Sequence, residues 1–175
     1  MPDSPARSPL TDLPAGEKGP EERRSAIADL MRAGRENSRL SVVFRYAVAD
    51  RLGLTVSDLE CLDFLADVES ATAGQIAERT NVTTGAVTSM LRRLQQAGWV
   101  TAERDPSDRR RVIVTLRPER AAELERPYER FAGRVGQLVE GYSVDELVLL
   151  ARHFGRMQEM YRAELDHLGG GADRA

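Results

Sequence analysis

A single cysteine, Cys61, denies this 175-residue chain an internal disulfide and leaves only a bridge between chains. Lysine is almost absent too: Lys18 is the only one, so the positive charge is nearly all arginine. The two histidines, His153 and His167, have no carboxylate–histidine pair at ligand spacing beside them, so neither a metal nor a cofactor is expected. No stretch approaches the roughly 20 apolar residues of a membrane span. The opening MPDSPARSPLTDLPAGEKGP has no apolar run of the kind that heads a secreted chain. The expectation is a cytoplasmic protein with no membrane partner. A phosphate-binding glycine loop, a nucleophile elbow and a cysteine–histidine pairing are all missing, which points away from an enzyme.

What remains is charge and helical period. With 41% hydrophobic, 30% charged and only 5% aromatic residues, the composition is that of a helix-rich globular protein. The length suits one domain with extensions around a real core. Five of the eight prolines fall in residues 1–20, read as a disordered tail, and residues 169–175 read as a frayed end. The net charge of -3 disfavours a wholly basic surface but leaves room for a local basic face. One such place is Arg92 to Arg111, where six arginines outnumber Glu103, Asp105 and Asp108.

A first helix is expected from about Glu22 to Asp50, with Ile27, Leu30, Met31, Leu40, Val43, Phe44 and Ala47 on its apolar face and Gly53 ending it. Thr55 or Ser57 caps a second helix carrying Leu59, Leu62 and Leu65. Thr72 and Gln75, at capping-box spacing, open a short third helix over Ala73 to Arg79, buried through Ile76 and Ala77. A fourth helix starts at Thr83, turns Val87, Leu91 and Leu94 inward, and closes at Gly98 as a left-handed cap would.

The period then shifts from helix to strand. Trp99 to Arg104 and Arg111 to Leu116 read as two strands around an Asp105-Pro106-Ser107-Asp108 turn, with Val112, Val114 and Leu116 on one face. Two helices, a tight turn and a hairpin make a winged helix-turn-helix. After it, Leu124, Tyr128, Phe131, Val135, Leu138 and Tyr142 form a heptad seam, with a kink or break expected at Pro127. A further helix, opened by Ser143 and Glu146, continues the spacing through Leu147, Leu150, Phe154, Met157 and Tyr161. The fold class is thus mainly α with a small β-hairpin wing. Residues 21–52 are expected to form an N-terminal helix, 53–117 the winged domain and 118–168 C-terminal helices whose apolar edge wants a partner.

The exposed side of the fourth helix carries Thr83, Thr84, Gly85, Thr88, Ser89, Arg92 and Arg93. Small and hydroxyl residues there let a helix lie close in a major groove, and its positive dipole end suits phosphate. An ordinary solvated face is the competing reading until the arginine-rich hairpin on the same domain is counted. Arg111 at the strand entrance suits a phosphate. Arg110 is read as pairing with Asp108 to shape the loop.

From about Ala26 to Leu165 the chain resembles the MarR family of transcription regulators. The residues that carry the likeness are "LTVSDLECLDFL", "TAGQIAERTNVTTGAVTSMLRRLQQAGWV", "RDPSDRRRVIVTL" and "GYSVDEL". The most specific is the wing pattern that falls on Asp108, Arg110, Val112, Val114 and Leu116. The resemblance implies a homodimer built from the terminal helices through Ile27, Leu30, Leu138, Leu147, Leu150, Phe154, Met157 and Tyr161. It also implies two winged domains on a palindromic stretch of double-stranded DNA, with Arg109 entering the minor groove, and a repressor released by a small aromatic or acidic effector. Arg45 and Tyr46 could line an effector cleft or equally pack at the surface. Two departures stand out: Leu116-Arg117-Pro118 replaces the usual Leu-Thr exit from the wing, and Ser89 occupies a place often held by a long polar side chain.

Two other functions compete. A thiol-based redox regulator would act through Cys61, although its place between Leu59 and Leu62 suits a small buried apolar residue. A winged module for protein interaction would rarely leave so many arginines unpaired at a hairpin tip.

Overall fold

The architecture was analysed in a computed structural model, which describes residues 19–80, 82–105, 108 and 111–169. Both expected tails, apart from Gly19, Pro20 and Gly169, lie outside the described residues, and so do Arg109 and Arg110. The described residues fall into two compact units, one ending at Arg130 and one beginning at Phe131.

Helix α1 (Pro20–Leu52) opens with proline in its first turn, where a missing N–H costs nothing, followed by Glu21 and Glu22 at the positive end of the dipole. It stops at Gly53, whose φ of 67° is the left-handed conformation that glycine adopts without a Cβ penalty. Leu54 N–H then reaches back to the Ala49 carbonyl at 2.9 Å. Thr55, rather than Ser57, caps α2 (Val56–Val68): its hydroxyl accepts from Asp58 N–H at 3.1 Å, and Asp58 Oδ2 accepts from Thr55 N–H at 3.0 Å. The Thr72–Gln75 capping box opens α3 (Ala73–Thr80) as expected, with the Thr72 N–H donating to Gln75 Oε1 at 2.8 Å. Thr83 caps α4 (Thr84–Gln96), and Gly98 follows it at φ 73°.

One element was not anticipated. Ser70–Thr72 forms a strand, β1, that pairs antiparallel with β3 (Val112–Leu116), while β2 (Val100–Arg104) pairs with the other side of β3. The wing is therefore rooted in a three-stranded sheet of order β1-β3-β2, not in a free hairpin. Three residues, Ser-Ala-Thr, carry no measurable period; only pairing through Ala71 opposite Val114 identifies them. The inner face places Ala71, Val100, Val114 and Leu116 in the core, and Val112, beyond the edge of that core, stays exposed.

Helix α5 (Pro118–Val139) excludes the break, one of the two outcomes expected at Pro127. It runs through Pro127 as one helix, without the break that proline invites. A proline deletes one hydrogen bond, and here the flanking turns are anchored from outside: Leu124 is buried, and Tyr128 meets Phe44 of α1 edge-on with ring centroids 5.8 Å apart. These two residues of the expected seam thus pack into the first unit's own core, whereas Phe131 and Leu138 are exposed. In the second unit, α6 (Val144–Gly169) starts with the Ser143–Glu146 box, Ser143 N–H donating to Glu146 Oε2 at 2.7 Å.

The core of the first unit gathers Leu59, Cys61, Leu62, Leu65, Ile76, Val87, Leu94, Trp99, Val100 and Val114. Trp99 fixes how α5 leaves the sheet. Its carbonyl accepts from Arg117 N–H at 2.9 Å, and the Arg120 guanidinium lies 3.9 Å above its ring. Pro118, one of the departures noted above, is the first residue of α5, a favoured place for it.

Cys61 is fully buried, and burial, with a further push from the Asp58 carboxylate, raises its thiol to about 12. A thiol held that far above neutrality carries almost no reactive thiolate. Cys61→Ser should lower stability by about 1–3 kcal/mol, measured by urea unfolding, because a hydroxyl replaces an apolar contact. Thiol reagents should modify the wild type only at the rate at which it unfolds; rapid labelling of the native protein would refute the core assignment.

Candidate nucleic-acid interface

Helix α4 divides cleanly. Val87, Met90, Leu91 and Leu94 are buried, and opposite them Gly85, Ser89, Arg92 and Gln96 follow one another along the exposed side. Thr83, Thr84, Thr88 and Arg93 flank that line and are exposed as well. The hydroxyls are not equivalent. Thr83 Oγ1 accepts from Ala86 N–H at 3.4 Å as the cap, and Thr88 Oγ1 donates to the Thr84 carbonyl at 3.0 Å. Ser89 and Arg92 form no side-chain bond with another described residue.

Arg93 has a different position. Its Nη2 donates to Asp58 Oδ1 at 2.6 Å and its Nε to Asp58 Oδ2 at 3.3 Å, a two-pronged pair that ties α4 to the start of α2. Asp58 is only 2% exposed. Burial by itself would raise its pKa, but the hydrogen bonds from Arg93 and Thr55 outweigh that and hold it below the ordinary carboxylate range. The same bond raises the pKa of Arg93 further. This pairing was not legible from the residues alone, because partners 35 positions apart are joined only by the fold.

At the wing, Arg111 and Arg104 are exposed. The hairpin is closed by Asp105 N–H to the Arg111 carbonyl at 3.0 Å and Arg111 N–H to the Asp108 carbonyl at 2.9 Å. Asp105 Oδ1 accepts from Asp108 N–H at 3.3 Å, so Asp105, read from sequence only as the first residue of the turn, shapes it through a side-chain-to-backbone bond. Arg109, expected at the tip, and Arg110, expected to pair with Asp108, lie outside the described residues.

Arg45 reaches from α1 to Glu60 at 2.7 Å and Asp63 at 3.1 Å on α2, and Arg79 of α3 approaches Glu60 at 3.8 Å. Arg45 is thus already neutralised by two carboxylates, while Tyr46 is 63% exposed. Among the expected dimer residues, Ile27, Leu30, Leu138, Leu147, Phe154 and Tyr161 are exposed, and Leu150 and Met157 are half-buried. No group of metal-binding side chains occurs among the described residues, and no described helix is long and apolar enough to cross a membrane.

Comparison with known proteins agrees with this geometry. The sequence pattern described as "MarR family" matches residues 52–111, from the end of α1 to the returning limb of the wing. YcgE, a helix-turn-helix transcriptional regulator of Bacillus subtilis, is 32% identical over 73% of this chain and 83% of its own length. The crystal structure of a MarR family transcription regulator, SP03579, superposes with a TM-score of 0.66 at 20% identity, covering 89% of this chain and 98% of that one. Reduced AbfR bound to DNA superposes at 0.54 with 25% identity, covering 82% and 97% of the two chains.

The Asp58–Arg93 pair makes a pH-dependent contribution whose sign is fixed. A carboxylate held below its unfolded pKa of roughly 3.9 adds stability above that value and loses it as the pH falls through the folded pKa. Arg93→Ala leaves the buried carboxylate short of a donor and should cost about 1–3 kcal/mol at pH 7. The gap from wild type should narrow below about pH 5, where protonation relieves the stranded charge of the variant. Thermal unfolding of both proteins between pH 7 and pH 3 measures it; a gap independent of pH would contradict the pairing.

Proposed function

Because the chain belongs to the MarR family of transcriptional regulators, we propose that it is a homodimeric repressor that grips palindromic operator DNA and releases it when a small molecule binds. The observation that carries this reading is the exposed side of α4. Small residues, free polar groups and arginine share one line, opposite a fully buried apolar side. A helix of about 10–12 Å diameter fits a major groove about 12 Å wide when its contact face is that lean. The neighbouring wing adds Arg104 and Arg111 to the same unit, and Arg109 and Arg110 precede the returning strand in sequence. AbfR, at 25% identity, has been captured on DNA.

Each named side chain takes a part suited to its chemistry. Thr83, Thr84 and Thr88 line the α4 entrance, where helix N–H groups favour phosphate. Gly85 and Ser89 permit close approach. Arg92 donates towards the DNA, and Arg93 sets the pitch of α4 through Asp58 while keeping one side open to a phosphate. Arg111 meets the backbone, Arg109 enters the minor groove, and Arg110 holds the loop with Asp108.

Dimerisation is supported by apolar surface that water would otherwise meet. In the first unit Ile27, Leu30 and Met31 are exposed on α1, and in the second Leu147, Phe154 and Tyr161 are exposed on α6. Covering such faces in an obligate pair buries on the order of 2,000 Å² or more. A two-fold protein implies a two-fold operator, with half-sites one helical turn or a multiple apart. Release by oxidation of Cys61 is opposed by its burial and its raised pKa. A small aromatic or acidic molecule is the proposed effector, and the cytoplasm the proposed location.

Sedimentation should show a dimer at micromolar concentration, and a monomer there would refute the assembly. Duplex DNA binding followed across salt concentrations should weaken linearly in log–log form, and Arg111→Ala should flatten the slope by about one unit per protomer. Arg109→Ala should weaken many duplexes, with extra loss on A·T-rich flanks. Binding insensitive to salt, or no binding at all, would favour a protein-interaction module instead.

A further inference from the structure

A helix α4 that meets DNA needs a side chain that distinguishes one sequence from another. The hydrogen-bond inventory of the helix narrows the choice. Thr83 spends its hydroxyl on the cap and Thr88 on the Thr84 carbonyl. Arg93, the more conspicuous of the two adjacent arginines for its pairing, is held by two bonds to Asp58. Arg92 is exposed, forms no ion pair with any described residue and stands on the outward line with Gly85 and Ser89.

Direction matters as much as availability. Side chains on an α-helix lean towards its N-terminus, so a residue covers the turn before its own Cα. Arg92 therefore leans over the turn that holds Thr88 and Ser89, towards the end of the helix that approaches base edges in this class of docking. The residues it leans across are small. A Cβ built at Gly85 would meet nothing within 4 Å, and Ala86 and Ser89 add little bulk, so the helix axis can approach the groove floor there. Phosphates flank the groove and are met by residues at the sides of the helix; the central line faces the bases.

We infer that Arg92 is the specificity-determining residue of α4, reading one guanine in each half-site. The planar guanidinium presents two parallel N–H donors that match guanine O6 and N7 on the major-groove edge, a pattern no other base pair offers in that position. Thr84 and Thr88 add methyl groups suited to thymine, and Ser89 a hydroxyl that accepts or donates and so discriminates little. Arg93 shapes the helix and contributes no base preference of its own. This assignment rests on the DNA-binding reading given under Proposed function.

The test begins with the full-length wild type, selecting its preferred duplex from a random pool. Wild type, Arg92→Ala, Arg92→Lys and Arg93→Ala are then measured on that duplex and on every single-base replacement within a half-site. One G·C pair per half-site should be found whose replacement weakens wild-type binding by roughly 5- to 150-fold. In Arg92→Ala the preference at that pair alone should collapse towards equality, while preferences elsewhere persist. Arg92→Lys should retain part of it. Arg93→Ala should lower affinity without changing the preferred base anywhere. The thermal midpoint of Arg92→Ala should match wild type, since Arg92 bonds to no other described residue. Uniform weakening of all duplexes by Arg92→Ala, with a flatter salt slope, would make Arg92 a phosphate contact and overturn the inference while leaving the DNA-binding reading intact. A wild type that selects no duplex would overturn both.

Discussion

One carboxylate sets the geometry on which the rest depends. Asp58, itself buried, accepts from Thr55 N–H at the start of α2 and from two nitrogens of the exposed Arg93 near the end of α4. A buried charge is tolerated only when its lone pairs are satisfied, and this arrangement satisfies them with donors from two separate helices. The consequence is rotational. Arg93 can reach Asp58 only if α4 turns Val87 and Leu94 inward, and that places Gly85, Ser89 and Arg92 outward. Fold stability and the presentation of the proposed DNA-facing line are thus consequences of the same contact.

The sheet performs the corresponding service for the wing. Strand β3 is held on both sides, by β1 and by β2, so the hairpin projects from a fixed root. Trp99 joins that root to α5 through a backbone bond to Arg117 and the Arg120 guanidinium over its ring. Arg45 bridges α1 to Glu60 and Asp63 of α2. Ion pairs of this half-exposed kind add little to stability individually, but they restrict how α1 can rotate against the winged domain. A signal that altered the Arg45 pairing would therefore act on α2, the same helix that orients α4.

Much of this was legible in the sequence, and the reasons are local. Thr72 with Gln75, Ser143 with Glu146, Gly53 and Gly98 are short-range signals whose partners lie within a turn, and each falls where the helix termini do. The exposed side of α4 followed from the period of Val87, Leu91 and Leu94. What escaped was non-local or overridden. Strand β1 is too short to show a period and exists only because Val114 offers Ala71 a place to pair. Pro127 predicts a kink or a break, and with Leu124 and Tyr128 packed on either side the helix does not break there. The two adjacent arginines of α4 look alike in sequence; a carboxylate 35 residues upstream of Arg93 separates their roles.

The proposed placement of the outward line of α4 in the major groove can be probed at the bases themselves. Guanine N7 faces that groove and no other, so premodification interference addresses the claim directly. The selected duplex is methylated sparingly with dimethyl sulfate, and the bound and unbound fractions are separated and cleaved at modified bases. The account predicts that N7 methylation at one guanine in each half-site excludes the duplex from the bound fraction, at positions related by two-fold symmetry. Binding indifferent to N7 methylation, with interference confined to adenine N3 in the minor groove, would contradict it.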